Sequence, residues 1–321
     1  MRRCSATLIG IVSLGVVGVA CAGQEARAWL DRMHTALERL NYVGTFVHIT
    51  DRKPETMHVA HRFIGGEVHE RIVTLDGVGR EIIRRDEDVR CILPDRQVVL
   101  HEKVNDSNPL VAALPGHSQA LEAHYELKVY SIDRVADRKA QVIGIRPRDD
   151  FRYGYVLWLD WDTAMPLRSR SWGDDKQVIE EIVFTSIEFP DHVPDAAFQQ
   201  QVVTDGFKEL NSHGPDDEVA PGVPWRVNAL PEGFELAVST RKSMADSQYP
   251  VDQLVYSDGL ATVSVFIESP EAQTDVEAGF SRVGSTNAYS LTVNGRKVTA
   301  IGEVPRRTVE AIATSLTSFQ D

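Results

Sequence analysis

Gly116-His117-Ser118-Gln119-Ala120 comes within one residue of a nucleophile elbow, but alanine stands where the last glycine is needed. Pro115 ahead of it reads as loop, and an active serine needs a sharp strand-to-helix turn. Acyl transfer at Ser118 is not expected. His48, His58, His61 and His69 fall in one strand-rich stretch, and three or four converging imidazoles would suit zinc. His58 and His61 are three apart, which puts them on opposite faces of an extended strand. Hydrogen-bonded strand histidines are the better reading, and no metal site is expected. Asp86, Glu87 and Asp88, and Asp174 with Asp175, sit in turn-like stretches where solvated surface is the default. Asp160 and Asp162 flank Trp161 at a strand end, where aspartate serves turn geometry.

No phosphate-cradling glycine loop or dinucleotide fingerprint occurs, so no cofactor is expected and binding becomes the leading class of function. Lys and Arg total 34 against 47 Asp and Glu, a net charge of −13. That balance argues against a dedicated nucleic-acid binder. Two strand faces are conspicuously apolar or amphipathic. Alternation aligns Tyr153, Tyr155, Leu157, Leu159 and Trp161 on one, and Met57, Val59 and Phe63 on another. A filled core is the ordinary reading of such faces. A curved sheet too wide for its own side chains would instead leave an acyl-chain groove. On that second reading Phe46, Met57, Val59, Phe63, Tyr153, Tyr155, Leu157 and Leu159 are the lipid-binding candidates.

These residues need a scaffold. Trp29, Met33, Leu37 and Leu40 repeat at helical spacing, so residues 25–40 form an amphipathic helix. Tyr42–Thr50, Thr56–Phe63, Glu70–Leu75, Glu81–Arg85, Val89–Leu93 and Gln97–Glu102 are short β-rich runs separated by turn residues. Asn105–Ala120 breaks the pattern as a loop or short helix. Strands resume with Tyr125–Val135, Ala140–Pro147, Tyr153–Trp161, Leu167–Trp172 and Val178–Phe189. The sum is a curling antiparallel sheet of roughly ten or more strands with a helix on its concave face.

Residues 205–224 are poor in apolar side chains and form the candidate linker, leaving 23–204 and 225–321 as two domains. In the second, Phe234–Thr240, Gln253–Tyr256, Ala261–Glu268, Tyr289–Val293 and Lys297–Glu303 read as strands. Asp258-Gly259 and Asn294-Gly295 stand where tight turns need positive φ. Pro305 opens a last helix with Val309, Ile312, Ala313 and Leu316 on one stripe. The fold class is α+β.

Arg2 and Arg3 precede an uncharged run that ends in Ala20-Cys21-Ala22, the pattern of a cleaved export signal over residues 1–22. An uncleaved anchor and a lipidated Cys21 are the rival readings. Cleavage would leave 32 basic and 47 acidic residues, net −15, and Cys91 as the one thiol. An exported chain of this kind must hold its fold by its core rather than by disulfides.

A set of ordered segments then narrows the reading. Tyr42-Val43-Gly44-Thr45-Phe46-Val47, Leu75-Asp76-Gly77, Arg80-Glu81-Ile82-Ile83-Arg84 and Cys91-Ile92-Leu93-Pro94-Asp95 come first. Arg146-Pro147-Arg148-Asp149, Arg152-Tyr153-Gly154-Tyr155 and Leu157-Trp158-Leu159-Asp160 follow. Leu230-Pro231-Glu232-Gly233-Phe234, Tyr256-Ser257-Asp258-Gly259-Leu260 and Gly302-Glu303-Val304-Pro305 complete the set. In order and spacing the chain resembles the RseB/MucB family of periplasmic regulators of sigma-E (AlgU-type) envelope-stress signalling, over nearly its whole length after the leader.

The resemblance implies a large unclosed β-barrel similar to LolA and LolB, with helices plugging its mouth, and a smaller C-terminal α+β domain. It implies a periplasmic protein, not an enzyme, that binds the periplasmic segment of an RseA/MucA-like transmembrane anti-sigma factor and hinders its site-1 proteolysis. Lipid or lipopolysaccharide is the implied releasing signal. Tyr256, Asp258 and Gly259 are then candidate partner-binding residues, with plain turn formation as the competing reading. Anionic lipid would need acyl burial plus a basic patch, for which Arg80, Arg84, Arg85, Arg90 and Arg96 are candidates interleaved with acids. A periplasmic lipid or lipoprotein carrier is the alternative function, and self-association into a homo-oligomer is left open.

Overall fold

A computed structural model describes residues 17–77, 79–103, 121–173, 177–211, 223–243, 249–270 and 278–319. The Ser118 motif, most of the expected signal segment, and Asp174 and Asp175 lie outside the described residues.

Helix α1 (Val17–Arg39) is followed by β1 (Tyr42–Thr50), β2 (Lys53–Ile64), β3 (Glu67–Thr74), β4 (Glu81–Arg85), β5 (Asp88–Leu93) and β6 (Val98–Lys103). After the one-turn α2 (Leu121–His124) come β7 (Tyr125–Val135), β8 (Arg138–Pro147), β9 (Gly154–Asp160), β10 (Pro166–Trp172), β11 (Val178–Glu188) and β12 (Lys208–Asn211). All twelve strands form one open sheet, in the order β12-β6-β5-β4-β3-β2-β1-β11-β10-β9-β8-β7. Strands β1 and β11 close the register between the two meanders and shift at Thr45/Phe46. Residues in positive-φ pairs turn two of the hairpins: Asp51-Arg52 at φ 52° and 62°, and Ala136-Asp137 at φ 49° and 63°.

Alternation sorts the sheet's apolar residues into two clusters. Phe46, Met57, Val59, Val142, Trp158, Ile182 and Phe184 belong to one. Ile143, Leu157 and Leu159 belong to another beneath Trp29, Leu30 and Met33 of α1. Leu37 touches both. Helix α1 forms because its apolar residues return every third or fourth position, and this stripe covers the sheet.

The smaller unit begins at β13 (Trp225–Val227) and continues through β14 (Glu235–Ser243), β15 (Pro250–Ser257), β16 (Thr262–Ile267), β17 (Gly279–Val283), β18 (Thr286–Val293) and β19 (Arg296–Gly302). It closes with α3 (Arg306–Thr314) and β20 (Leu316–Ser318). Six strands run β14-β15-β16-β19-β18-β17, and β13 pairs with β20 apart from them. Val309, Ile312 and Ala313 of α3 are fully buried against this sheet.

Two expectations about elements are corrected. Residues 208–211, placed in the linker on composition, form β12 parallel to β6, with His101 facing Glu209. Leu316 is not on the last helix: Ser315 caps that helix by donating its hydroxyl to the Ala311 carbonyl at 2.7 Å, and Leu316 then pairs with Val227.

Candidate functional site at the domain boundary

The residues nominated from sequence do not come together as one hollow. Phe46, Met57 and Val59 are completely buried in the first cluster, and Leu157 and Leu159 in the second. Phe63 is half-buried near the end of β2, with the Arg39 guanidinium 5.9 Å from its ring. Tyr155 packs against the second cluster, whereas Tyr153 reaches Asn287 of the smaller domain. Alternation divides the nominated residues between two separate buried clusters.

The partner candidates lie at the end of β15 and in the turn that follows it. Tyr256 is buried in the small-domain core, where its hydroxyl accepts the Val227 N–H at 3.2 Å. Gly259 takes φ 91°, which the turn after β15 requires and which favours glycine. Asp258 is buried too, and its two oxygens do different work. Oδ1 accepts the backbone N–H groups of Leu260 and Ala261 at 2.9 and 2.6 Å. Oδ2 accepts Arg152 Nε at 2.5 Å and the Tyr125 hydroxyl at 3.2 Å.

Arg152 is thus the hub of the boundary. Its side chain is fully buried and reaches Asp258 and the Glu232 carbonyl in the small domain and Asp149 in its own loop. Burial works against its charge, but the Asp258 and Asp149 carboxylates more than offset this and raise its pKa. Burial, followed by the Asp258 charge, pushes the Tyr125 hydroxyl far above the ordinary range and keeps it a donor. Around this hub, Asn287 donates to the Tyr153 hydroxyl and to the Val304 carbonyl, both at 2.8 Å. Thr308 donates to the Phe151 carbonyl at 2.8 Å, and Arg307 meets Asp150 at 2.9 Å.

Next to the hub lies a cleft of about 330 Å³ between the domains, lined in part by Tyr153, Ile179, Phe280, Arg282, Asn287 and Arg306. The Arg306 guanidinium stacks 3.5 Å from the Phe280 ring.

The sequence-level histidines have separate partners, and no group of three or more potential metal ligands occurs among the described residues. His61 stacks on Tyr42 and donates from Nδ1 to the Leu40 carbonyl at 2.8 Å, while burial lowers its pKa to about 4. His48 bonds Glu180 at 2.6 Å. Asp160 holds its own turn, accepting from the N–H and hydroxyl of Thr163 and from Arg138.

Comparison with known proteins fits this two-domain arrangement. The description of the MucB/RseB N-terminal domain matches residues 25–202, and that of the MucB/RseB C-terminal domain matches residues 220–317. The chain belongs to the MucB/RseB family. It is 33% identical to the sigma factor AlgU regulatory protein MucB of Pseudomonas aeruginosa, over 98% of this chain and 97% of that protein. The sigma-E factor regulatory protein RseB of Haemophilus influenzae is 28% identical over 94% of each. Among solved structures, the P. aeruginosa MucA/MucB complex superposes with a TM-score of 0.72 at 31% identity, covering 92% of this chain and 99% of that one. MucB solved in complex with MucA(peri) gives 0.71 at 30% identity, covering 91% and 98%.

The relatives MucB and RseB are regulatory proteins of sigma factors, and Arg152 lies in the matched N-terminal range while Glu232, Gly233 and Asp258 lie in the matched C-terminal one. Arg152 was not singled out from sequence. Its only signal was its place beside the aromatic run at Tyr153, and its partner lies 106 positions away.

Proposed function

We propose that this protein is a periplasmic negative regulator of a sigma-E-type factor. It binds the periplasmic segment of a transmembrane anti-sigma factor of the RseA/MucA kind and shields it from the site-1 protease. The observation that carries this reading is the likeness of both domains together to MucB, a protein solved in complex with MucA. With the anti-sigma factor intact, the sigma factor stays captive.

Lipid or lipopolysaccharide is the proposed releasing signal. The apolar clusters beneath α1 are filled, so an acyl chain must displace protein side chains to enter. Such displacement would reach the boundary through the cluster under α1 itself, which holds Leu157 and Leu159 of β9 and is packed against by Tyr155 and by Leu260 of the small domain. If lipid and anti-sigma segment favour different domain arrangements, each weakens the other by one and the same factor. On this account Tyr256, Asp258 and Gly259 act on the partner by holding the small domain in place rather than by touching it.

The test is a titration of the partner's periplasmic segment with the purified protein in the presence of the site-1 protease, with and without lipopolysaccharide. Slower cleavage that lipopolysaccharide restores supports the whole reading. Unchanged cleavage overturns the regulatory function, and protection insensitive to lipid overturns the releasing signal alone.

A further inference from the structure

Strand β17 is short and largely exposed, yet it supplies much of the small-domain wall of the cleft beside the hub. Alternation puts Phe280 and Arg282 on one face of it. Tyr289, opposite Phe280 on β18, packs on that ring with centroids 4.4 Å apart, and the ring in turn carries the Arg306 guanidinium at 3.5 Å. A guanidinium stacked on an aromatic face keeps its in-plane N–H donors available and loses little freedom when it binds. Among the described residues no carboxylate pairs with Arg306. Arg282 is partly engaged: its Nε donates to the Gly284 carbonyl at 2.9 Å, and its Nη2 lies 3.9 Å from Asp51, the outer limit of an ion pair.

The opposite wall belongs to the large domain, where Tyr153 and the start of β11 at Val178 and Ile179 face the cleft. Ile179 is buried, but Val178 is 48% exposed. Among the described residues, none that lines the cleft is an acid. In a chain with 47 acidic residues against 34 basic ones, that is a local reversal of sign. Pro305 and Arg306 also open α3, whose N-terminal end adds positive partial charge.

We propose that this cleft receives an acidic side chain of the anti-sigma factor's periplasmic segment, with Arg306 as its main anchor and Arg282 as a second cation. A carboxylate matches the flat fork of a guanidinium with two parallel hydrogen bonds. Apolar residues beside that acid would meet Val178 and Phe280. At about 330 Å³ the cleft is small among ligand sites, which run from roughly 300 to 1,000 Å³, so it takes one or two side chains and no folded domain. Both domains form its walls. An acid seated there therefore binds the docked arrangement better than an undocked one and holds the domains together. The choice of partner rests on the regulatory function proposed above, whereas the choice of an acid rests on the cleft.

The experiment is fluorescence anisotropy of the labelled periplasmic segment of the cognate anti-sigma factor, titrated with the purified protein. Arg306→Gln is expected to weaken binding about tenfold and Arg282→Gln by less, since part of that guanidinium is already spent. Arg96→Gln, at an exposed arginine in the β5–β6 turn, should change it by less than about twofold. Arg306 is exposed, so its replacement leaves the core intact. Each Asp and Glu of the segment is then changed singly to its amide. One of them is expected to weaken binding to the wild type about tenfold and to leave binding to Arg306→Gln unchanged, which marks a direct pair. Unchanged affinity in both Arg306→Gln and Arg282→Gln would overturn the cleft as the docking site. So would a loss in Arg306→Gln that couples to no acid of the segment, and binding of inorganic phosphate that Arg306→Gln abolishes would then assign the cleft to a phosphate ligand instead. Wild-type protein that does not bind the segment at all would overturn the regulatory function, and this docking with it.

Discussion

Asp258 closes its own turn with one carboxylate oxygen and receives Arg152 of the large domain with the other. A residue whose local role fixes its rotamer is thereby made a rigid acceptor for a cation from another domain. The arginine reaches it fully dehydrated, so the pair matters far more than an ion pair on the surface.

Breaking that pair is expected to destabilise the protein. Arg152→Ala leaves the Asp258 charge buried without its cation, and about 3 to 5 kcal/mol of stability should be lost. Asp258→Asn should lose less, because Asp149 still balances the guanidinium. Denaturant unfolding of the two single variants and the double variant gives the coupling. A value above about 1.5 kcal/mol is expected, and one below about 0.5 kcal/mol would place the pair with ordinary surface contacts.

Glu81 performs a similar task inside the large domain. Its carboxylate is completely buried, meets Arg71 at 2.5 Å, and accepts the backbone N–H groups of Gln201 at 3.1 Å and Val202 at 3.0 Å. It pins the segment after the Asp195–Phe198 turn onto the sheet. Glu81→Gln should raise hydrogen exchange at Gln201 and Val202 by an order of magnitude or more, since a neutral amide replaces a charge-assisted acceptor of three donors. Equal exchange in both proteins would show that the segment is held by Val202 and Phe207 packing instead.

Gly233 has φ 83°, and a Cβ on it would strike the His124 ring across the boundary. Gly233→Ala should therefore carry two penalties, left-handed strain of roughly 1 to 2 kcal/mol and the clash. His124→Ala in the same chain should recover the second and leave the first. Thermal unfolding of the three variants checks this, and no recovery in the double variant would mean that strain accounts for the whole effect.

His61 predicts an acid sensitivity of the large domain. Burial lowers its pKa to about 4, so the unfolded chain takes the proton first as pH falls from 6.5. Stability from this residue is complete above about 6.5 and declines toward about 4, by about 3 kcal/mol in total. Urea unfolding of wild type and His61→Gln across that range should diverge at neutral pH and converge in acid. Parallel curves would show that His61 is not the group responsible.

Much of this architecture is legible in the residues. The ranges Tyr42–Thr50, Glu81–Arg85 and Tyr125–Val135 coincide with β1, β4 and β7, because β-branched and aromatic residues there are bounded by plain turn formers. The open antiparallel sheet and the smaller second unit follow from the same pattern. Strand β12 was hidden because Lys208-Glu209-Leu210-Asn211 is mostly polar, as an edge strand can be when only its backbone is recruited. The β17 segment escaped for a similar reason, since its side chains are largely exposed.

The boundary was the least legible part. Alternation correctly grouped Tyr155, Leu157 and Leu159, but it cannot say that the chain meets a second domain at Tyr153. Asp258 looks like a turn former, and it is one. Its second role depends on Arg152, and nothing local connects the two.

The most direct measurement is the rate at which the site-1 protease cuts the periplasmic segment of the cognate anti-sigma factor, with this protein absent, present, and present as Arg152→Ala. The account predicts slow cleavage with the wild type and faster cleavage with the variant, whose domains are loosened. Cleavage at the unprotected rate in the presence of saturating wild-type protein would contradict it.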